Sequence, residues 1–86
     1  MGKLILKPEQ DGMGYFYGTY AGDDGSAVRV DVLPPHSHPR PVFVMNTPAE
    51  QHPTQWIVYA NGQEIARVER REDLDTLDVT RLLTAD

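Results

Sequence analysis

The chain has 86 residues, no cysteine, seven prolines, seven glycines and a formal charge of −5. That length supports one domain spanning 1–86, and the missing cysteine excludes disulfides, thiol nucleophiles and Cys-ligated metal centres. The charge is uneven: residues 1–71 hold eight acids against seven bases, and residues 72–86 hold five acids against one. The body is therefore nearly neutral, and the acidity belongs to a C-terminal segment.

Apolar runs such as Leu4-Ile5-Leu6 and Trp56-Ile57-Val58-Tyr59 fall far short of the ~20 residues that a membrane span requires. They are also too short for a secretory leader, so a cytoplasmic location is expected. Arginine outnumbers lysine six to two, a coding bias common in GC-rich bacterial and phage genomes.

In chain order, Lys3–Lys7 is an apolar run between lysines, stopped by Pro8, and reads as an edge strand. Residues 8–14 carry turn chemistry. Tyr15–Tyr20 gathers aromatic and β-branched residues into a second strand, and Gly22–Ser26 turns the chain. Ala27–Val32 alternates cleanly, placing Val28, Val30 and Val32 on one face and Arg29 and Asp31 on a wet one.

Residues 34–53 hold six of the seven prolines and all three histidines. Val42–Asn46 suffices for one short strand, and Pro34–Arg40 and Thr47–Pro53 are expected as extended loops, because proline fixes φ and lacks an amide donor. The strongest local signal is Asn61-Gly62, suited to a type I′ hairpin turn with φ > 0 at both positions. Counting outward pairs Ala60 with Gln63, Tyr59 with Glu64, Val58 with Ile65, Ile57 with Ala66, Trp56 with Arg67 and Gln55 with Val68. Both faces of such a hairpin are apolar, so it is either covered on both sides or meets a partner.

The C-terminal leucines and valine, Leu74, Leu77, Val79, Leu82 and Leu83, predict a helix entered near Glu72-Asp73. A strand through Thr76–Thr80 is the competing assignment. Either form would cover one face of the hairpin and bring acids near Arg67, Arg70 and Arg71. The sequence thus predicts a mainly β domain: five to six antiparallel strands in a small rolled sheet or barrel, with a short C-terminal helical segment.

For chemistry, His36-Ser37-His38 and His52 are the sole imidazole cluster. They are weak candidates for a metal, because a closed site needs more ligands than lie nearby, and a solvated loop is the simpler account. No nucleophile elbow, phosphate loop, dinucleotide fingerprint or H-E-x-x-H is present, so neither an enzyme nor a cofactor is expected. Tyr15, Tyr17 and Tyr20 with Lys3, Lys7 and Arg29 could stack single-stranded nucleic acid, but a neutral body gives little counterion-release drive. Trp56, Tyr59 and Arg67, rimmed by Arg70 and Arg71, are residue types enriched at protein-interface hot spots. A protein-binding module is therefore the leading expectation, a homodimer would produce the same pattern, and single-stranded nucleic-acid binding and a metal- or ligand-binding barrel are the alternatives.

Overall fold

A computed structural model describes residues 3–8, 15–22 and 25–84. Its centre is an antiparallel sheet of five strands in the order β1-β2-β3-β6-β7. These are β1 (Lys3–Pro8), β2 (Phe16–Ala21), β3 (Ala27–Leu33), β6 (Trp56–Ala60) and β7 (Gln63–Val68). Between β3 and β6 the chain leaves the sheet and makes a separate two-stranded hairpin from β4 (Pro41–Val44) and β5 (Thr47–Glu50). A 3₁₀ helix (Arg71–Thr76) and the short helix α1 (Val79–Thr84) complete it. The fold is mainly β and antiparallel with a short C-terminal helical end, as the sequence predicts. The sheet remains open, with β1 and β7 at its edges, and does not close into a barrel. Among the described residues, no helix is long and apolar enough to cross a membrane.

The strand period of two decides what covers each face. Val30 and Val32 of β3, Val58 and Ala60 of β6 and Tyr20 of β2 form a core cluster with Leu74 of the 3₁₀ helix and Val79 of α1. On the opposite face, Leu33, Ile57 and Tyr59 pack with Tyr15 and with Val42, Val44 and Ala49 of the β4–β5 hairpin. The C-terminal segment is thus the lid of one face, and β4–β5 is the lid of the other. β6 is apolar on both sides because it is covered on both sides.

Four expectations need correction. Thr47–Glu50 is not loop but β5: Met45 and Asn46 adopt φ 49° and 65° and turn the chain back. The prolines do not prevent pairing, because the two-residue turn makes Val44–Thr47 the closing hydrogen-bonded pair. Pro41 (opposite Glu50) and Pro48 (opposite Phe43) then fall at alternate pairs, where the backbone nitrogen faces outward and no ladder donor is lost.

Second, the side of β3 expected to be wet is so at Arg29 but not at Asp31, which is fully buried. Its carboxylate accepts from Arg29 Nη2 at 3.0 Å and Nε at 3.3 Å, a bidentate pair that replaces the lost water. The Arg29 guanidinium also lies 5.2 Å from the centre of the Tyr17 ring.

Third, the β6–β7 register holds only for the first two pairs. A bulge between Tyr59 and Val58 leaves Ile65 unpaired, after which Val58 opposes Ala66, Ile57 opposes Arg67 and Trp56 opposes Val68. The bulge turns Ala66 and Val68 toward the C-terminal lid, where Ile65 also packs. It moves the charged Arg67 out of that lid to the Tyr59 face.

Fourth, the C-terminal helix is split, and its α part begins later than Glu72-Asp73. The Asp78 carboxylate accepts the Arg81 amide at 3.2 Å, an N-cap that sets the start of α1. The same oxygen accepts the Tyr20 hydroxyl at 3.2 Å, tying the cap to β2. The strand through Thr76–Thr80 does not form. The predicted turn at residues 9–14 lies outside the described residues, as do residues 23 and 24 of the next turn.

Candidate functional site

The five residues expected at an interface do not share one surface. Trp56 stands on the face of the C-terminal lid, half-buried, with its ring stacked on Phe16 at 6.2 Å between centres. The Arg71 guanidinium lies 5.9 Å from the centre of each ring, so Trp56, Phe16 and Arg71 fasten the start of the 3₁₀ helix to the sheet. Tyr59 points to the other face and is 9% exposed.

Arg67 lies beside Tyr59 because of the bulge. In an unbroken strand, residues three apart point to opposite faces, but the extra residue lets Glu64 and Arg67 meet. Arg67 Nη2 is 3.1 Å from Glu64 Oε1, and Nε is 3.3 Å from Oε2. The Glu64 carboxylate hydrogen-bonds the guanidinium and holds it protonated above its usual range. Burial pushes the Tyr59 phenol above its ordinary value; Glu64 adds to that and Arg67 opposes it.

Arg67 and Arg70 share an open groove of about 730 Å³ with Arg81, Glu69, Asp73 and Asp78. Asp73 and Asp78 of the C-terminal segment are therefore brought to the same groove as Arg67 and Arg70, whereas Arg71 does not line it. Yet the ion pair that Arg67 makes among the described residues is with Glu64. Three cations facing three anions give this groove no net preference for a charged ligand.

Among the described residues, the most exposed large apolar side chains are elsewhere, on the outer face of β4–β5. Val42, Val44 and Ala49 point inward, while Phe43 is 58% and Met45 49% exposed. Pro41 and Pro48 are exposed beside them. Around the edge, Pro41, Pro48, Ala49, Glu50 and Tyr59 line an open cleft of about 460 Å³. The apolar ridge therefore runs into the cleft that holds Tyr59, with Glu64 and Arg67 beyond. The same prolines blunt both hairpin edges against strand addition.

Sequence reasoning missed Phe43, Met45, Pro41 and Pro48. The available signal was the alternation Val42-Phe43-Val44-Met45, in which one of two apolar rows must face away from the sheet. Met45 carries a second anomaly. Its φ of 49° lies in the left-handed region, which costs a side chain other than Gly, Asn or Asp about 1–2 kcal/mol. Met45 is thus both strained and exposed.

The tyrosines do not form an exposed stacking platform. Tyr15 and Tyr20 are buried in opposite cores, and Tyr17 is half-buried under Arg29. The histidines gather near the root of β4–β5, where the His36 amide donates to the His52 carbonyl at 2.9 Å. The Nδ1 atoms of His36 and His52 each accept a backbone amide, from His38 and Thr54, both at 3.1 Å. Among the described residues, no group of three or more His, Asp or Glu is placed to hold a metal.

No family model matches this chain, and neither does any curated protein or solved structure.

Proposed function

We propose that this domain is a non-enzymatic protein-binding module that docks through the outer face of the β4–β5 hairpin. The observation that carries this reading is the exposure of Phe43 and Met45 on a hairpin whose inward side is already committed to the core. Left-handed strain at an exposed apolar residue supports it, since such strain concentrates at functional positions. Tyr59 and Arg67 flank the ridge and supply the aromatic and arginine contacts typical of interface centres. Trp56, Arg70 and Arg71 contribute less directly: Trp56 and Arg71 stack across the sheet, and Arg70 lines the mixed-charge groove.

The size of the ridge bears on the partner. Four residues per strand and two strands span about 14 by 10 Å, well under the ~800 Å² per partner of a stable interface. The ridge is an anchor for a groove on a foreign protein, and two copies stacked through it alone would associate weakly. Phe43→Ser combined with Met45→Ser is expected to abolish partner capture by the tagged protein, while Trp56→Ala retains it. Light scattering on the purified chain should give the monomer mass. Capture undiminished by the double substitution would refute the reading, and a stable dimer lost with the same substitution would replace the foreign partner by a second copy.

A further inference from the structure

Sulfur that a peroxide can oxidise is confined in this chain to three methionines, because cysteine is absent. Met1 and Met13 lie outside the described residues, and Met45 stands at the tip of the β4–β5 hairpin. It is 49% exposed and extends the outer apolar row that Phe43 begins. On its inner side the sulfur lies 3.9 Å from the point where a Gly62 Cβ would stand, an ordinary contact. Half of the residue is open to solvent, so an oxidant reaches it without any movement of the fold.

Nothing in the backbone asks for methionine at this position. At φ 49° Asn or Gly is the easier residue, so what Met45 supplies is its thioether, an apolar and flexible contact group. That same sulfur accepts one oxygen atom from a hydroperoxide. The O–O bond breaks, an S–O bond forms, and water leaves. The sulfur loses two electrons and the peroxide gains them, giving the polar sulfoxide. A reductase reverses the step with two thiols, which become a disulfide as the oxygen departs in water.

The place of Met45 decides what the added oxygen does. In the free chain water hydrates it, and Val42, Val44 and Ala49 still hold the hairpin on the sheet. In a docked complex the ridge is dry, and a sulfoxide oxygen buried there loses its water. We propose that Met45 is a reversible oxidation site that switches the docking ridge off without unfolding the domain. The switch rests on the docking reading and adds a hydroperoxide as its signal.

Hydrogen peroxide tests it, followed by a methionine sulfoxide reductase supplied with dithiothreitol. Met45→Leu is the reference, since it keeps Met1, Met13 and an apolar side chain at the tip. By peptide mass spectrometry, Met45 is expected to oxidise in the folded chain within about threefold of its rate in urea. The urea midpoint of the oxidised chain should match that of the untreated one, and the oxidised chain should elute earlier from a phenyl matrix. Affinity for the protein whose capture Phe43→Ser/Met45→Ser abolishes should fall about tenfold. Elution and capture should return after reductase treatment and stay unchanged in peroxide-treated Met45→Leu. Oxidation slower than that threefold margin, a lowered urea midpoint, a loss that the reductase does not reverse, or a loss that Met45→Leu shares would each overturn the switch. The two readings fail separately. Capture indifferent to Phe43→Ser/Met45→Ser refutes the ridge as a docking face and takes the switch with it. Capture that this substitution abolishes and oxidation leaves intact refutes the switch alone.

Discussion

The β6–β7 hairpin turns through Asn61 and Gly62 at φ 52° and 81°, and the β4–β5 hairpin through Met45 and Asn46 at φ 49° and 65°. Both are two-residue turns with positive φ at both positions. In the first, residue choice and geometry agree, since Asn-Gly is the pair best suited to a type I′ turn. In the second, a methionine occupies a position that its side chain disfavours. The β4–β5 turn is held by what lies around it: Val42, Val44 and Ala49 packed on Leu33 and Ile57, and Met45 set against Gly62 of the other tip. One hairpin is specified locally, and the other is imposed by tertiary packing.

The largest test of this contrast uses one fully buried valine from each hairpin. Val58→Ala opens a cavity under the C-terminal lid and is expected to cost about 2 kcal/mol or more in global stability. Val44→Ala removes the same atoms from the β4–β5 contact, and its cost should be nearer about 1 kcal/mol because the separate hairpin can shift to close the gap. Urea unfolding of the two variants measures the difference. Equal costs would mean that both hairpins belong equally to one cooperative unit.

The turns themselves should respond with opposite signs. Gly62→Ala forces a side chain to φ 81° and is expected to cost about 1–2 kcal/mol. An added Cβ would sit 3.5 Å from Met45 Cβ, an ordinary contact, so the penalty is backbone strain and not a clash. Met45→Asn relieves strain at φ 49° and should stabilise by about 0.5–1 kcal/mol. If Met45→Asn raises the melting temperature and weakens partner capture, the strain is retained for docking. A destabilised Met45→Asn would instead show that the Met45–Gly62 contact outweighs the strained turn.

The same contrast explains what was legible in the sequence. The strands at 3–8, 16–21 and 27–33 and the Asn61-Gly62 turn carry local signals, namely β-branched and aromatic runs, alternation and turn chemistry. β4–β5 carries the opposite signals, with prolines inside both strands and no Gly in the turn. Its pairing depends on register, which places both prolines at outward-facing nitrogens, and register is not a local property. The β7 bulge was hidden for a similar reason. Regular counting from Asn61-Gly62 keeps Arg67 beside Trp56, and only packing against Leu74 and Val79 makes it worthwhile to turn Ala66 and Val68 inward. For the candidate site, Tyr59 and Arg67 were legible as residue types, whereas Phe43 and Met45 became visible once the inward partners of Val42 and Val44 were known. Asp31 was misread because alternation identifies a face but not what covers it.

The smallest effect concerns Tyr59, which belongs to β6 but lies in a cleft walled by Pro41, Pro48 and Ala49 of the other hairpin. Burial raises its phenol above the ordinary value of 10.0, Glu64 raises it further and Arg67 lowers it. The neutral phenol is the form the fold favours, so its contribution to stability is complete below about pH 10 and fades as the pH climbs through the raised value. Glu64→Gln removes the neighbouring negative charge, and the tyrosinate absorbance of Tyr59 should then develop at lower pH than in the native chain. Val44→Ala should act in the same direction without touching any charge, because a loosened β4–β5 admits water to the ring. A Tyr59 titration that shifts with Glu64→Gln but ignores Val44→Ala would show that its burial comes from its own strand and neighbours. A response to both makes Tyr59 a reporter, placed on the locally specified hairpin, of how firmly the imposed one is seated.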